Sequence, residues 1–300
     1  MIYKLTATNH YGKTVVLDLL NPESNNFAVI GIDGLGPVEA DVSIDKIVSS
    51  DGGIFNSARV NTRNIVISII FLGTEIEKQR LETYKYFPVK QLVKLEIETE
   101  NRRVFTEGYV ESNSPTIFSA MGGTAISILC PDPYLYLRNK KQTQFSNSEP
   151  LFEFPFSNES IEDPVIEISR IRREHQGNIF YEGSVESGME IDIHAIGEVG
   201  DITLFNATTR ETMVIYNSVI ESITGTGISN LDDILITTYR GQKSAKLLRN
   251  GIETNIINAI SKGADWFQLN NGDNILGYSA TDGIDNIVVT YSYKVGYEGV

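Results

Sequence analysis

Few residues of this 300-residue chain have the type and spacing that catalysis or metal binding requires. Its single cysteine, Cys130, would need a neighbouring base to form a thiolate. Cys130 alternates with apolar residues of a strand instead, so we expect a small core side chain. The three histidines, His10, His175 and His194, lie far apart and show no metal-ligand spacing. We expect them on the surface, without a catalytic or metal-binding role.

Pairs of carboxylates occur at two places, Glu96 with Glu98 and Asp232 with Asp233. A glycoside hydrolase needs two carboxyl groups across a cleft, one of them with a raised pKa. Nothing in the sequence places either pair in this way, and solvent-facing strand positions account for Glu96 and Glu98. Glycan hydrolysis therefore ranks third among the functions considered.

Two kinds of loop sequence resemble ligand sites without completing them. Asp273, Asp282 and Asp285 lie in Gly- and Asn-rich loops that lack the ligand pattern and closing glutamate of an EF-hand. Residues 225–227, Gly-Thr-Gly, lack the lysine of a phosphate loop. Turn formation explains both, because Asp, Asn and Gly favour turns. The sequence predicts neither a cofactor nor a metal site.

Five aromatic residues could form a platform for a sugar ring: Trp266, Phe267, Tyr278, Tyr291 and Tyr293. Core packing is the default for aromatic rings at strand spacing. Trp266 and Tyr278 discriminate between the two interpretations. If both are exposed on one concave surface, glycan binding gains support; if they are buried, the domain is a spacer or a docking module.

Composition and charge disfavour several broad classes. The chain is 41% apolar and 21% charged, which is typical of a soluble globular protein. Its net charge of −14 offers no concentrated supply of basic residues for nucleic-acid phosphates, and the short cluster Arg170, Arg172 and Arg173 precedes Glu174. No apolar run approaches the roughly 20 residues of a membrane helix. The N-terminus lacks a secretion signal, so we expect synthesis in a cytoplasm.

Short alternating segments predict a mainly β protein. Apolar and polar residues alternate over residues 38–44, 93–97, 126–130, 189–195 and 287–293, and turn-forming residues separate these segments. In the first segment, Val38, Ala40, Val42 and Ile44 should form the covered face of a strand whose other face is wet.

Turn and helix signals lie between these strands. Asn250-Gly251 and Asn271-Gly272 suit hairpin turns, because both residue types tolerate positive φ. One helix is predicted over residues 74–87, with Thr74 and Glu77 in a capping box, and Pro88 ends it. The residues at 3.6-residue spacing in that helix are Ile76, Arg80, Leu81, Tyr84 and Phe87. A weaker helical turn is predicted over residues 256–261.

The stretch Cys130-Pro131-Asp132-Pro133 predicts a domain boundary. Two prolines end the preceding strand, because proline donates no hydrogen bond to a sheet. A segment rich in Lys, Gln, Ser and Asn follows. We expect an N-terminal β domain over residues 1–137, a linker over 138–150 and a C-terminal β-sandwich over 151–300.

Several motifs follow one another along nearly the whole chain. The N-terminal part has Gly31-Ile32-Asp33-Gly34-Leu35-Gly36-Pro37, Phe87-Pro88-Val89-Lys90, Gly108-Tyr109-Val110-Glu111, Ile117-Phe118-Ser119 and Cys130-Pro131-Asp132-Pro133-Tyr134. The C-terminal part has Trp266-Phe267-Gln268-Leu269, Gly272-Asp273-Asn274 and Tyr297-Glu298-Gly299-Val300. In this order and spacing they resemble the distal tail protein (Dit) family of phages that infect Gram-positive bacteria.

The resemblance implies an N-terminal β-sandwich-like domain with one helix, six copies of which form a ring. It also implies a C-terminal jelly roll, similar to galectins or carbohydrate-binding modules. The ring would be a structural hub of the virion tail tip, between the tail tube protein and a tail-associated lysin, fibre or baseplate hub protein. No catalytic residues come with the resemblance.

The chain shows one departure from some family members and leaves the kind of particle open. Nothing here resembles the long insertion by which some members hold receptor-binding proteins. The same ring could belong to a tail-like bacteriocin.

Charge is compatible with a ring. Residues 1–135 carry 12 basic and 16 acidic side chains, a net of −4, and the remaining residues carry −10. Placing the less charged part at the ring centre reduces repulsion. We expect the segment 49–60 to bridge neighbouring copies, through these interface residues: Asp51, Gly52, Gly53, Ile54, Phe55 and Asn56. The alternative function is contact with host cell-wall or capsular glycans through the C-terminal sandwich.

Overall fold

The computed structural model describes residues 1–46, 51–117, 122–150, 169–173 and 175–300. It is mainly β, with 53% strand and two α-helices, in several sheets and no barrel, so the predicted fold class is confirmed as mainly β and sandwich-like. The chain divides into two compact units. Unit 1 comprises Met1–Asn139 and Gly296–Val300, and unit 2 comprises Lys140–Val295. The last five residues thus belong to unit 1, whereas the predicted boundaries put them in the second domain.

The described part of the first 139 residues contains ten strands and one α-helix. In chain order they are β1 (Ile2–Asn9), β2 (Thr14–Asp18), β3 (Phe27–Asp33), β4 (Ala40–Lys46), β5 (Gly53–Val60), β6 (Arg63–Phe71), α1 (Ile76–Tyr86), β7 (Leu92–Thr99), β8 (Arg103–Pro115), β9 (Gly123–Cys130) and β10 (Leu135–Leu137). A short 3₁₀ turn covers Pro22–Ser24.

From residue 140 onward, the residues that the structure describes contain thirteen strands and the second α-helix. They are β11 (Lys141–Gln144), β12 (Ser146–Pro150), β13 (Ser169–Arg173), β14 (Gln176–Tyr181), β15 (Met189–Ala195), β16 (Ile202–Asn206), β17 (Glu211–Ile215), α2 (Asn217–Thr224), β18 (Asp233–Thr237), β19 (Ser244–Arg249), β20 (Ile252–Asn255), β21 (Gly272–Ala280), β22 (Ile287–Tyr293) and β23 (Gly296–Tyr297). Two 3₁₀ turns cover Ile257–Ala259 and Ile284–Asn286.

Unit 1 is built on one antiparallel sheet in the order β2-β1-β7-β8-β9-β6-β3. Strand β10 extends it by pairing with both β8 and the C-terminal β23. Strands β4 and β5 stand apart as a two-stranded sheet. One face of the main sheet is buried, because apolar residues occupy every second position: Leu95 and Ile97 in β7 and Ile126 and Ile128 in β9 are fully buried. These strands confirm the predicted alternation.

Helix α1 forms where the sequence predicts a helix, and the two ends of the predicted face, Ile76 and Phe87, pack in the core, but the middle of that face does not. Its buried side chains are Gln79 and Thr83, whereas Leu81 and Tyr84 are exposed. Glu75 is the N-cap and makes no side-chain capping bond, so the predicted Thr74–Glu77 capping box is wrong. At the other end, the buried Asn9 amide donates to the Lys85 carbonyl at 2.8 Å.

Unit 2 contains two main antiparallel sheets, in the orders β11-β22-β15-β18-β19-β20 and β14-β21-β16-β17, and a small pair, β12–β13. Each main sheet buries one face. Tyr181 of β14 and Tyr293 of β22 meet edge to face, with ring centroids 6.0 Å apart, so apolar residues of the two sheets meet in one core. The predicted linker is not a plain connection, because β11 and β12 lie within residues 138–150.

Local turn signals have mixed outcomes in unit 2. Asn250-Gly251 joins β19 to β20 with positive φ at both residues, which confirms the first predicted hairpin. Residues 266–269 do not pair with β21, and Leu269 instead bridges Ser187, so the second predicted hairpin is wrong. The Asn274 side chain bonds the backbone of Asn270, which holds the turn without a ladder. The predicted helical turn near residue 256 is the 3₁₀ turn Ile257–Ala259, and α2 was not predicted.

Candidate interaction surface

The two-stranded sheet of β4 and β5, which we call the arm, is the least covered part of unit 1. Every residue of both strands is exposed. Val42 is 54% exposed, Ile44 59% and Phe55 62%. The predicted strand therefore exists, but the predicted covered face is wrong within a single copy of the chain.

The register of the arm separates an apolar face from a polar face. Facing residues in an antiparallel pair lie on the same side of the sheet. The apolar face has three such pairs, Ala40–Val60, Val42–Ala58 and Ile44–Phe55. The opposite face has the polar pairs Asp41–Arg59, with a salt bridge of 3.3 Å, and Ser43–Ser57. The arm is thus amphipathic with neither face covered.

Local backbone geometry shapes the end of the arm, where the predicted interface residues lie. Gly52 has a φ of +92°, and a Cβ on Gly53 would lie 2.7 Å from the Asp45 carbonyl oxygen. Both positions therefore require glycine. A register shift leaves Asn56 unpaired as a bulge, which sets Phe55 opposite Ile44. Asp51 and Ile54 are also exposed, whereas residues 49 and 50 lie outside the described residues.

An isolated two-stranded ribbon is marginally stable in water. Burying one Val, Ile or Phe side chain stabilises by about 1.5–3 kcal/mol, and the arm has several such side chains in contact with solvent. Contiguous exposed apolar surface of this kind marks protein–protein contact sites. The arm therefore has the properties of a candidate interaction surface.

In contrast to the exposed arm, Arg63 is buried, and its side chain forms hydrogen bonds with three of the motifs that carry the family resemblance. Its guanidinium donates to the carbonyl oxygens of Pro133 at 2.6 Å and Gly36 at 2.8 Å, and also to those of Gly34 and Glu298. The side chain is 1% exposed. Burial lowers the pKa of the Arg63 guanidinium from its usual value. The Arg63 guanidinium thus binds three separate segments: the early glycine-rich turn, the Pro-Asp-Pro segment and residues 297–300.

Sequence reasoning missed Arg63, although a signal was present. Arg63 is the first residue of β6 and lies on the same side of the strand as Ile65, Ile67 and Ile69, all of which are buried. A charged residue in the inward-facing series of a strand needs internal partners. The inward-facing position of Arg63 could have predicted that its side chain is buried, but it could not have predicted which four carbonyl groups it binds.

The two residues of the predicted glycan platform do not form an exposed pair. Tyr278 is 3% exposed and packs edge to face against His175, with ring centroids 5.3 Å apart. Trp266 is half-buried, and the Lys243 amine lies 5.5 Å from its ring centroid. A buried tyrosine ring cannot stack on a sugar, so Tyr278 does not meet the criterion for glycan binding, whereas the partly exposed Trp266 leaves the choice between the two interpretations open.

The cysteine and the histidines show no catalytic arrangement among the described residues. Cys130 is fully buried, as predicted, and burial raises the pKa of its thiol, which keeps it protonated. His10 is exposed, and His175 and His194 are partly exposed. His194 Nδ1 lies 2.6 Å from an Asp233 carboxylate oxygen. Within the described part of the chain, His, Cys, Asp and Glu side chains form no cluster that could hold a metal ion.

The acidic pairs have structural partners. Glu96 and Glu98 lie on the outer face of β7 and form salt bridges with the following residues: Lys94, Arg138 and Arg103. Asp232 is 1% exposed and pairs with Arg249.

The described residues do not include every residue discussed in the sequence analysis: the side chains of Arg170, Arg172 and Arg173, and residues 118, 119 and 174, lie outside them. In the described part, neither helix is long and apolar enough to cross a bilayer.

Fold and surface together define a mainly β, two-unit protein whose first unit presents an exposed apolar arm. No protein-family model and no curated protein matches the sequence. Solved structures do match, and they include phage proteins. The SPP1 Dit (gp 19.1) protein, described as a paradigm of the hub adsorption apparatus in Gram-positive infecting phages, is 15% identical with a TM-score of 0.65, over 97% of this chain and 98% of its own.

A chain of the phage P2 baseplate, in its activated conformation with Ca, gives a TM-score of 0.50 at 13% identity and covers the whole of both chains. The chain studied here therefore has the fold of phage Dit and baseplate proteins. The predicted resemblance to the Dit family is confirmed at the level of the fold.

Proposed function

We propose that this chain is a structural, non-enzymatic hub protein of a phage tail, six copies of which form a ring through the arm. The observation that carries the proposal is the apolar face of the arm, which has the alternation of a half-buried strand and no cover within one copy. The similarity in fold to the SPP1 hub protein over nearly the whole chain supports a place at the tail tip.

The proposed ring has two faces with different partners. One face docks on the tail tube protein, and the other holds a tail-associated lysin, fibre or baseplate hub protein. The protein is assembled in the cytoplasm of the bacterial host and resides in the virion. Unit 2, with its galectin-like sandwich, serves as a spacer or docking module for these partners or for a receptor-binding protein. Burial of Tyr278 supports this role over direct contact with host glycans.

Native mass by light scattering after size exclusion, over a range of protein concentrations, tests the proposal. We expect the wild-type protein to reach six times the chain mass of 33.3 kDa. Ile44→Asp places a charge on the apolar face of the arm and should keep the protein monomeric. Ser43→Asp places the same charge one residue away on the polar face, and should assemble like the wild type.

Three outcomes would contradict the proposal. An Ile44→Asp protein that assembles as readily as the wild type would show that the apolar face is not the contact. Deletion of residues 51–56 with an unchanged oligomer would exclude the end of the arm. A wild-type protein that stays monomeric, both alone and with the tail tube protein, would contradict the ring itself.

A further inference from the structure

The outer face of the main sheet in unit 1 carries three apolar side chains that the unit leaves uncovered. The register places Leu92 of β7 opposite Tyr109 of β8, and Tyr109 opposite Leu129 of β9. The three residues are 37%, 50% and 39% exposed, in that order. We call this set the apolar row. Their direct cross-strand adjacency makes them one continuous patch on a face that is otherwise largely polar.

The row runs across three neighbouring strands of the sheet and has a charged border. Neighbouring strands lie about 4.8 Å apart, so three side chains in a row span about 10 Å, close to the width of a two-stranded ribbon with its side chains. Glu107 and Glu111 lie two residues before and after Tyr109 on β8, and both are exposed. Glu111 accepts a hydrogen bond from Ser127 at 2.8 Å, which confirms that it faces outward.

A closed ring requires two different surfaces on each copy, one that contacts the next copy and one that receives the previous copy. The apolar face of the arm is the first of these surfaces. The second has to be apolar, exposed and flat, because a ribbon packs face to face on a sheet at about 10 Å. The apolar row meets these conditions. The exposed Leu81 and Tyr84 lie on the convex surface of α1, which suits a flat ribbon less well.

Charge is also complementary between the two surfaces. The apolar face of the arm ends at Lys46, which lies opposite Gly53 and is exposed. The row is bordered by Glu107, which lies opposite Lys94, and by Glu111, which is bonded to the uncharged Ser127. When the two apolar surfaces meet, the lysine of the arm can lie beside Glu111, and opposite charges at the rim favour one orientation.

We propose that the arm of one copy packs its apolar face on the apolar row of a second copy of this chain. This inference rests on the proposed ring and identifies the acceptor surface within it.

Thiol cross-linking in the full chain tests the contact. The chain has one native cysteine, Cys130, which is buried and gives little background. A double variant, Phe55→Cys with Tyr109→Cys, treated with a short bis-maleimide, should give a ladder of covalent species up to six copies. Each single variant should give no ladder. The double variant Phe55→Cys with Tyr84→Cys is the matched control, with α1 as the acceptor instead of the row.

Each outcome separates this inference from the ring proposal. A native hexamer in which Phe55→Cys with Tyr109→Cys gives no ladder overturns the docking and leaves the ring standing. A ladder with Tyr84→Cys instead moves the acceptor to α1 and also overturns it. Covalent dimers of Phe55→Cys alone would show arm-to-arm contact, which contradicts a heterologous interface. A monomeric native mass for the wild type and every variant, both alone and with the tail tube protein, contradicts both the ring and the docking.

Discussion

Arg63 is the residue on which the organisation of unit 1 depends most directly. A guanidinium has five donors in a fixed plane, so one side chain can satisfy several carbonyl groups from separate segments. Here it binds four carbonyl oxygens, from residues 34, 36, 133 and 298. Removing a partner from a buried polar group costs more than the hydrogen bond itself contributes, because the orphaned group stays dehydrated.

Replacing Arg63 should therefore destabilise unit 1 strongly. We expect Arg63→Met to lower the free energy of unfolding by at least about 3 kcal/mol, since several charge-assisted hydrogen bonds are lost at once. This free energy of unfolding can be measured by urea denaturation followed by far-UV circular dichroism. Arg59→Met is the control: that side chain is 82% exposed with one surface salt bridge, and its loss should cost less than about 0.5 kcal/mol. Equal losses for the two variants would refute the role given to Arg63.

At the scale of elements, one ion pair ties the turn between α2 and β18 to the hairpin of β19 and β20. Arg249 donates from Nε and Nη2 to the two carboxylate oxygens of Asp232, at 2.7 and 2.6 Å. It also donates to the Gly227 carbonyl at 2.7 Å. Burial by itself raises the pKa of Asp232, but hydrogen bonds from Arg249 and Ser229 outweigh burial and hold that pKa below its usual value.

This lowered pKa predicts a pH-dependent stability. The stabilisation by ionised Asp232 is complete above the unfolded-state pKa of about 3.9 and is lost as the pH falls through the lower folded-state pKa. Asp232→Asn should cost about 3 kcal/mol at pH 7, near the lower end for a broken buried pair because Arg249 is partly exposed. Unfolding free energies from pH 7 to 3.5 should show a constant difference from the wild type down to about pH 5 that narrows below about pH 4. A difference that stays constant to pH 3.5 would contradict this assignment.

Helix α1 shows why the spacing of residues along a helix predicts its buried face less reliably than alternation predicts the buried face of a strand. The residues at helical spacing that suggested a core face include Leu81 and Tyr84, and both are exposed. The helix instead buries Gln79 and Thr83, which meet hydrogen-bonding groups of the protein: the Gln79 amide donates to the Leu72 carbonyl and Thr83 to the Arg80 carbonyl. Which side of a helix faces a sheet depends on the polar groups that the sheet offers, and these come from distant segments.

At the scale of the whole molecule, the chain leaves unit 1 after residue 139 and returns to it at Gly296. The returning segment, Gly296–Val300, pairs with β10 as β23, and the Val300 amide donates to the Leu35 carbonyl at 3.1 Å. The Arg102 guanidinium lies 4.3 Å from the centroid of the Tyr297 ring. Five residues at the end of the chain thus complete a unit that begins at its first residue.

Deleting Gly296–Val300 should therefore destabilise unit 1 rather than unit 2. We expect faster amide exchange in β10 and in residues 34–36, because these segments lose their hydrogen-bond partners. The melting temperature of unit 1 should fall by roughly 2–4 °C for each kcal/mol lost. Deleting Val300 alone removes one backbone hydrogen bond and should have a small effect. Loss of protection confined to β15 and β22 would show that the segment supports unit 2 instead.

Much of the fold follows from short-range information. The buried faces of β7, β9, β15 and β22 agree with the alternation, because a half-buried strand needs an apolar residue at every second position. Asn250-Gly251 forms its hairpin because two residues suffice to define that turn. Asn271-Gly272 does not, because the Asn274 side chain satisfies the nearby backbone groups in another way. The alternation of β4 is present as predicted, but the described residues of the same copy leave its apolar side exposed.

The sequence by itself determined the mainly β class, the buried faces of β7, β9, β15 and β22, and the motifs that resemble phage hub proteins, because each depends on residues close together in the sequence. Only the tertiary structure showed that Arg63 gathers three of those motifs, across as many as 235 positions of sequence. It also showed that Tyr278 is buried, that the last five residues belong to unit 1, and that the arm is bare on both faces. These properties depend on contacts between segments that are distant in the sequence, and no local sequence pattern encodes such contacts.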